Sequence, residues 1–241
     1  MTTKTEAIVL NKVKYSDNSF IVNLYSEKNG KFAALIHIGK SSKNGIKPAL
    51  FSPLNIIETE VKIKESRSIQ SVINCINVLN PNNISSDFAK TSIALFIAEI
   101  LLKTIKEEEP NHNLFEFIKN TILRLNNSTN NIFDLHLFFL RDFAKISGFG
   151  MTCNYCTDTP YFNLKEGMFL PLFTCNEESL TAEESSCMKN LLQAEYDDTC
   201  KIFNYKIRTT LIERLLQYYK YHIHEFGNLN SIKILQEVFN D

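Results

Sequence analysis

The chain has 241 residues, 44% of them hydrophobic and 22% charged, with a formal net charge of −1. That composition excludes a disordered, collagen-like or disulfide-scaffold chain and is enough for one large or two small cores. The opening "MTTKTEAIVL" lacks the basic and long apolar regions of a secretory signal, and the most apolar stretch, "IALFIAEILL" (93–102), is short for a bilayer span and contains Glu99.

The first 75 residues predict short strands. "EAIVLNKV" (6–13), "FIVNLYS" (20–26) and "KFAALIHI" (31–38) combine alternation with β-branched and aromatic residues. "YSDNS" (15–19) and "EKNGK" (27–31) carry turn chemistry, and Asn29-Gly30 is the strongest hairpin signal in the chain. "LNIIETEV" (54–61) and "SIQSVINC" (68–75) predict a fourth and a fifth strand. Five strands joined by tight turns and one longer loop suit a small closed barrel over residues 1–78.

From Pro81 the hydrophobic period becomes helical, over an expected second domain, 79–241. Helices are predicted over 85–110, 113–127 and 131–147, the last with Ile132, Leu135, Phe139, Phe143 and Ile146 at steps of three and four. Residues 148–180 hold Gly148, Gly150, Pro160, Gly167 and Pro171 and read as an irregular insertion with short strands. Thr181 and Glu184 form a capping box for a further helix. "NYKIRTTLIERLLQYYKYHI" (204–223) is a long helix, and a short one follows Ser231. The class is α+β: a five-stranded barrel, then helices.

Net charge hides an asymmetry. Residues 1–70 carry 11 basic and 6 acidic side chains, whereas 71–241 carry 15 and 21. No acid falls between Glu27 and Glu58, while Lys28, Lys31, Lys40, Lys43 and Lys47 all do. Lysines on loops track a phosphate backbone through charge alone. Lys40, Lys43 and Lys47 are therefore expected to form a cationic loop, with Lys12, Lys14, Lys28 and Lys31 extending the patch. Tyr15, Tyr25, Phe32 and Phe51 are the rings available for base stacking.

Local catalytic signatures are missing: there is no phosphate-cradling Gly-rich loop before a helix, no HExxH and no G-x-S-x-G. Six cysteines without a secretory signal suggest reduced thiols in a cytosol. Cys153-x-x-Cys156 supplies half of a tetrahedral zinc site. Cys175 lies downstream, but the position that would complete a second such pair is Glu178, and Cys187 joins only if the next helix folds back. The set is incomplete. Cys153, Cys156 and Cys175 remain the only metal candidates, and no cofactor is expected. His136 reads as a half-buried residue of an apolar helix face, and His222 and His224 as surface residues.

Residues 6–54, "EAIVL…YSDNSFIVNLYSEKNGKFAALIHIGKSSKNGIKPALFSPL", resemble the amino-terminal domain of the bacterial recombination mediator family RecO. The tail "YYKYHIHEFGNLNSIKILQEVF" (218–239) is similar to that family's Tyr-x-x-His end and final helix. The departure is the incomplete cysteine set, with "FLPLFTC" (169–175) where zinc-bearing members place their second pair. The resemblance implies an OB-fold barrel joined to a helical domain with a degenerate zinc-finger-like insertion. It implies a cytoplasmic, nucleoid-associated protein without catalytic turnover. Such a protein binds single- and double-stranded DNA, anneals complementary strands, contacts the acidic tail of single-strand-binding protein, and with RecR promotes loading of RecA. Arg208, by the family's spacing, and neighbouring Lys206 are the expected contacts for that tail. A protein-interaction adaptor whose basic loop meets acidic proteins or RNA, and an enzyme using the cysteines, are the competing readings.

Overall fold

The computed structural model describes residues 2–37, 48–64, 66–79, 82–106, 109–129, 132–196 and 201–239. Five strands come first: β1 (Thr2–Ser16), β2 (Ser19–Ser26), β3 (Gly30–His37), β4 (Ile56–Lys62) and β5 (Ile69–Asn77). They close into a barrel in the order β1-β2-β3-β5-β4, antiparallel except for the β3–β5 pair. Alternation decides the facing. Ala7, Val9, Val22, Leu24, Ala34, Ile36, Ile57 and Cys75 point inward with Phe51 from a 3-10 turn, Pro48–Phe51.

Two strands carry extra residues, two in β1 and one in β5. Register shifts in β1 leave Leu10 and Tyr15 without a partner opposite, and a shift in β5 does the same to Ile73. β1 also outruns the barrel: β4 accompanies it from Thr2 to Ile8, and beyond that only β2 does, so β1 and β2 continue as a two-stranded arm. The chain enters β4 through Leu54, held at φ 61° and fully buried, whose amide donates to the Val9 carbonyl.

Helices α1 (Asn82–Ser85), α2 (Phe88–Thr104) and α3 (His112–Asn127) belong with the barrel in one compact unit, Met1–Asn127. The expected domain boundary near residue 78 coincides with the end of the barrel strands, and this unit continues past it. The single helix predicted over 85–110 divides where Asp87 caps α2 by accepting from the Lys90 amide. α2 is apolar on nearly every side and packs on β1, covering Ile8 and Leu10 on the barrel's outer surface. α3 covers Tyr25, whose ring centroid lies 6.2 Å from that of Phe115.

The second unit, Ser128–Asp241, holds α4 (Leu135–Ile146), the hairpin β6 (Tyr161–Asn163) and β7 (Met168–Leu170), α5 (Ala182–Gln193), α6 (Tyr205–His222) and α7 (Ser231–Val238). The capping box opens α5 as the sequence predicts, with Glu184 also bound by Arg214 of α6. One stripe of α6 clamps the insertion by its backbone carbonyls. Tyr218 donates to Phe149, Gln217 and Tyr221 to Glu177, and His222 lies 3.0 Å from the Leu164 oxygen. His222 is thus half-buried against Tyr218 and not the surface residue expected. Gly167 is needed here, since at φ 66° a Cβ would also meet the Tyr218 hydroxyl at 3.1 Å.

Candidate nucleic-acid interface

Barrels of this five-stranded order bind oligonucleotides on the outer face of strands two and three, flanked by the β1–β2 and β4–β5 loops. The register defines that face here. Val13 pairs with Ile21, Ile21 with Leu35, Leu35 with Ser71 and Ser71 with Lys62, so one row crosses all five strands. Beside it runs Asn11, Asn23, Ala33 and Ile69, where the Asn23 amide donates to Asn11 Oδ1 at 2.6 Å. Val13 and Ile69 are exposed and Ile21 and Leu35 half-buried, so the two rows share an apolar floor open to solvent up to Ser71, with Lys62 at its end.

Cations stand near both ends of this floor, although Lys12 and Lys14, in register with inward-facing Val22 and Phe20, occupy the other face of the arm. At the β1–β2 arm, Lys12 and Lys14 are exposed; Lys12 donates to the Pro48 carbonyl at 3.0 Å, and its ammonium lies 5.5 Å from the Phe20 ring centroid. Lys14 makes a solvent-exposed pair with Asp17 at 3.3 Å, a contact that competes weakly with a phosphate. At the β4–β5 loop, Lys62, Lys64 and Arg67 are exposed. Buried Gln70 shapes this loop, accepting from the Lys64 amide at 2.8 Å and donating to the Lys64 and Arg67 carbonyls at 3.2 and 2.6 Å. Sequence reasoning passed over Lys62, Lys64 and Arg67. Their signal was the placement of three cations around the β4–β5 turn.

The seven lysines of the expected patch do not share one place. Lys40, Lys43 and Lys47 lie outside the described residues. Lys28 is exposed in the β2–β3 turn, at the opposite end of the barrel from Lys14, and donates to the Lys4 carbonyl at 2.9 Å. Lys31 is half-buried and serves the fold. Its ammonium donates to the Leu102 and Ile105 carbonyls, each at 2.5 Å, where α2 ends. Burial, with Lys106 nearby, lowers its pKa.

The rings separate as cleanly. Tyr25 and Phe51 are buried, and Phe32 packs half-buried against the core. Tyr15 is 66% exposed.

In the helical unit, Lys206 is exposed on α6, but Arg208 lies inside. Arg208 Nη1 meets Asp134 Oδ1 at 3.4 Å and the Phe203 carbonyl at 3.2 Å, and the guanidinium faces the rings of Phe133 and Phe239. Burial and this cation together push the pKa of neighbouring His136 down to about 3. His136 is fully enclosed and not half-buried as expected, its ring stacked on Phe239.

Cys153, Cys156 and Cys175 are all exposed thiols. Cys156 Sγ lies 3.2 Å from the Thr159 hydroxyl, which lowers its pKa, and Glu178 is ion-paired with Lys165. Among the described residues no three His, Cys, Asp or Glu side chains are grouped so as to hold a metal ion.

A closed five-stranded barrel followed by helices places this chain in the OB-fold class. The family descriptions "Recombination protein O N terminal" and "Recombination protein O C terminal" match residues 1–80 and 85–230. The chain belongs to the RecO family. It is 31% identical over 241 residues to the DNA repair protein RecO of Flavobacterium johnsoniae, covering all of both chains. It is 32% identical to that of Flavobacterium psychrophilum and 28% to that of Phocaeicola vulgatus, again over the full length of each. Among the described residues no helix is long and apolar enough to cross a membrane.

Proposed function

We propose that this chain is a non-enzymatic, cytoplasmic recombination mediator of DNA repair. Its barrel binds single- and double-stranded DNA and holds complementary strands for annealing. Its helical unit contacts single-strand-binding protein, and together with RecR it promotes loading of RecA. The observation that carries the reading is the apolar row Val13, Ile21 and Leu35, with Lys12 and Lys14 on the same arm at one end and Lys62, Lys64 and Arg67 beyond Ser71 at the other. An uncharged floor with cationic margins attracts a polyanion while leaving its bases a dry surface. Lys40, Lys43 and Lys47 add three charges to the segment joining β3 to Pro48. For the acidic tail of single-strand-binding protein, exposed Lys206 and Lys201 are the cations near the start of α6, whereas Arg208 would engage it only after the cover over it moves.

The test replaces Lys40, Lys43 and Lys47 together with Glu and follows binding to labelled single strands across salt concentrations. The expected result is weaker binding with a log–log salt slope shallower by about two. Unchanged affinity and slope remove the loop from the interface. Annealing of complementary oligonucleotides coated with single-strand-binding protein, with and without the chain, tests the mediator role itself. No acceleration refutes it.

A protein-docking adaptor is the second reading, favoured by another face of the barrel. Ile73 and Ile76 are more than half exposed, and Ile76 pairs in register with Glu58 of β4. That surface is apolar and acidic, unsuited to DNA but suited to protein.

A further inference from the structure

We propose that Tyr15 is the base-stacking platform of the barrel, and that it makes the interface prefer single strands to duplex DNA. This inference rests on the DNA-binding reading above and names the residue that discriminates between its ligands.

Four observations converge on Tyr15. It is the extra residue of a β-bulge: Lys14 pairs with Phe20 and Ser16 with Ser19, leaving Tyr15 with nothing opposite. A bulge re-aims the side chain it carries and recurs at barrel rims and binding sites. Tyr15 is 66% exposed, beside Val13, itself 53% exposed, so a large aromatic side chain stands in solvent without a packing partner of comparable size on its strand. The other rings of the barrel strands are spent on the fold. Tyr25 is buried beneath α3, Phe32 packs on the core, and Phe20 packs on the core beneath the Lys12 ammonium. Finally, Tyr15 sits among backbone-binding charge, with Lys12 and Lys14 on the same strand and His37, in register with Ser19, on the same rim.

The chemistry follows from what each ligand exposes. A single strand offers unstacked bases whose faces can lie on a phenol ring, and stacking of this kind is tolerant of sequence. In a duplex those faces are already stacked on each other, leaving phosphates for the lysines but nothing for Tyr15. Removing the ring therefore lowers affinity for one ligand and not the other. The salt dependence stays unchanged because no charge is lost.

The experiment compares the full chain with Tyr15→Ala, Tyr15→Phe and Tyr15→Trp on a labelled thymidine oligomer and on a duplex of equal length. Tyr15→Ala is expected to bind the oligomer about tenfold more weakly. Its duplex affinity, salt slope and melting temperature should match the unaltered chain. Tyr15→Phe should bind as the parent does. The chain contains no tryptophan, so the indole of Tyr15→Trp reports alone; its emission should be quenched by the oligomer and little affected by duplex. If the parent binds both DNAs and Tyr15→Ala binds the oligomer within twofold of it, stacking at Tyr15 is refuted and the electrostatic interface stands. Equal losses on both ligands refute the discrimination. If the parent binds neither DNA, both readings fall.

Discussion

Arg208 and Asp134 meet at 3.4 Å with each side chain only 3% exposed, an ion pair enclosed within the helical unit. Asp134 is further tied by the Ile202 and Phe203 amides, at 2.7 and 3.3 Å, so it pins the approach to α6 as well as the helix itself. Arg208→Met leaves that carboxylate buried without its cation and is expected to cost about 3 kcal/mol in urea denaturation. Adding Asp134→Asn should restore part of the loss. A peptide-binding defect in an Arg208 variant is therefore informative only beside its melting curve.

His136 makes stability sensitive to acid. Its folded pKa of about 3 lies below the ordinary value of 6.5, because burial and then Arg208 disfavour the cation. Below the ordinary value the unfolded chain takes a proton that the folded one refuses, so stability from this site is complete above about pH 7 and declines as pH falls. Between pH 7 and pH 5 the site is expected to remove about 2 kcal/mol. His136→Gln should flatten that part of the profile, measured as urea midpoints at the two pH values.

Lys31→Met tests whether charge or architecture is lost with this cation. Two carbonyls at the end of α2 lose their donor, at an expected cost of about 2 kcal/mol. Single-strand affinity, corrected for the unfolded fraction, should stay within twofold of the parent. A large loss of affinity at unchanged stability would return Lys31 to the interface.

The strands were legible because inward residues alternate with outward ones, as in Phe20, Val22 and Leu24 against Ile21, Asn23 and Tyr25. The bulges were not, since Tyr15 and Ile73 each add a residue that breaks the period without any Gly or Pro to mark it. Composition could not tell Tyr15 from Tyr25; α3 covers one of them, and that contact spans some ninety positions. Lys31 looked like any turn lysine because the helix end it caps is equally remote. Arg208 was more accessible to reasoning. It stands three and four positions before Leu211 and Ile212 and shares the buried stripe that continues through Leu215, Tyr218 and Tyr219. A charge on that stripe required a buried counter-ion, which Asp134 supplies.

Closure of the barrel depends on a narrow seam. β3 meets β5 through three register pairs, Ala33 to Leu35 with Ile69 to Ser71, and this junction is the only parallel one in the cylinder. Short parallel ladders are the weaker kind, so amide protons of Ile69 to Ser71 should exchange with deuterium ahead of those on the long β1–β2 ladder. Leu35 and Ile69, on the floor proposed to receive DNA, stand on opposite lips of that seam. A strand lying across them would act as a suture, and slower exchange there on loading would register the ligand as a fastener of the cylinder itself.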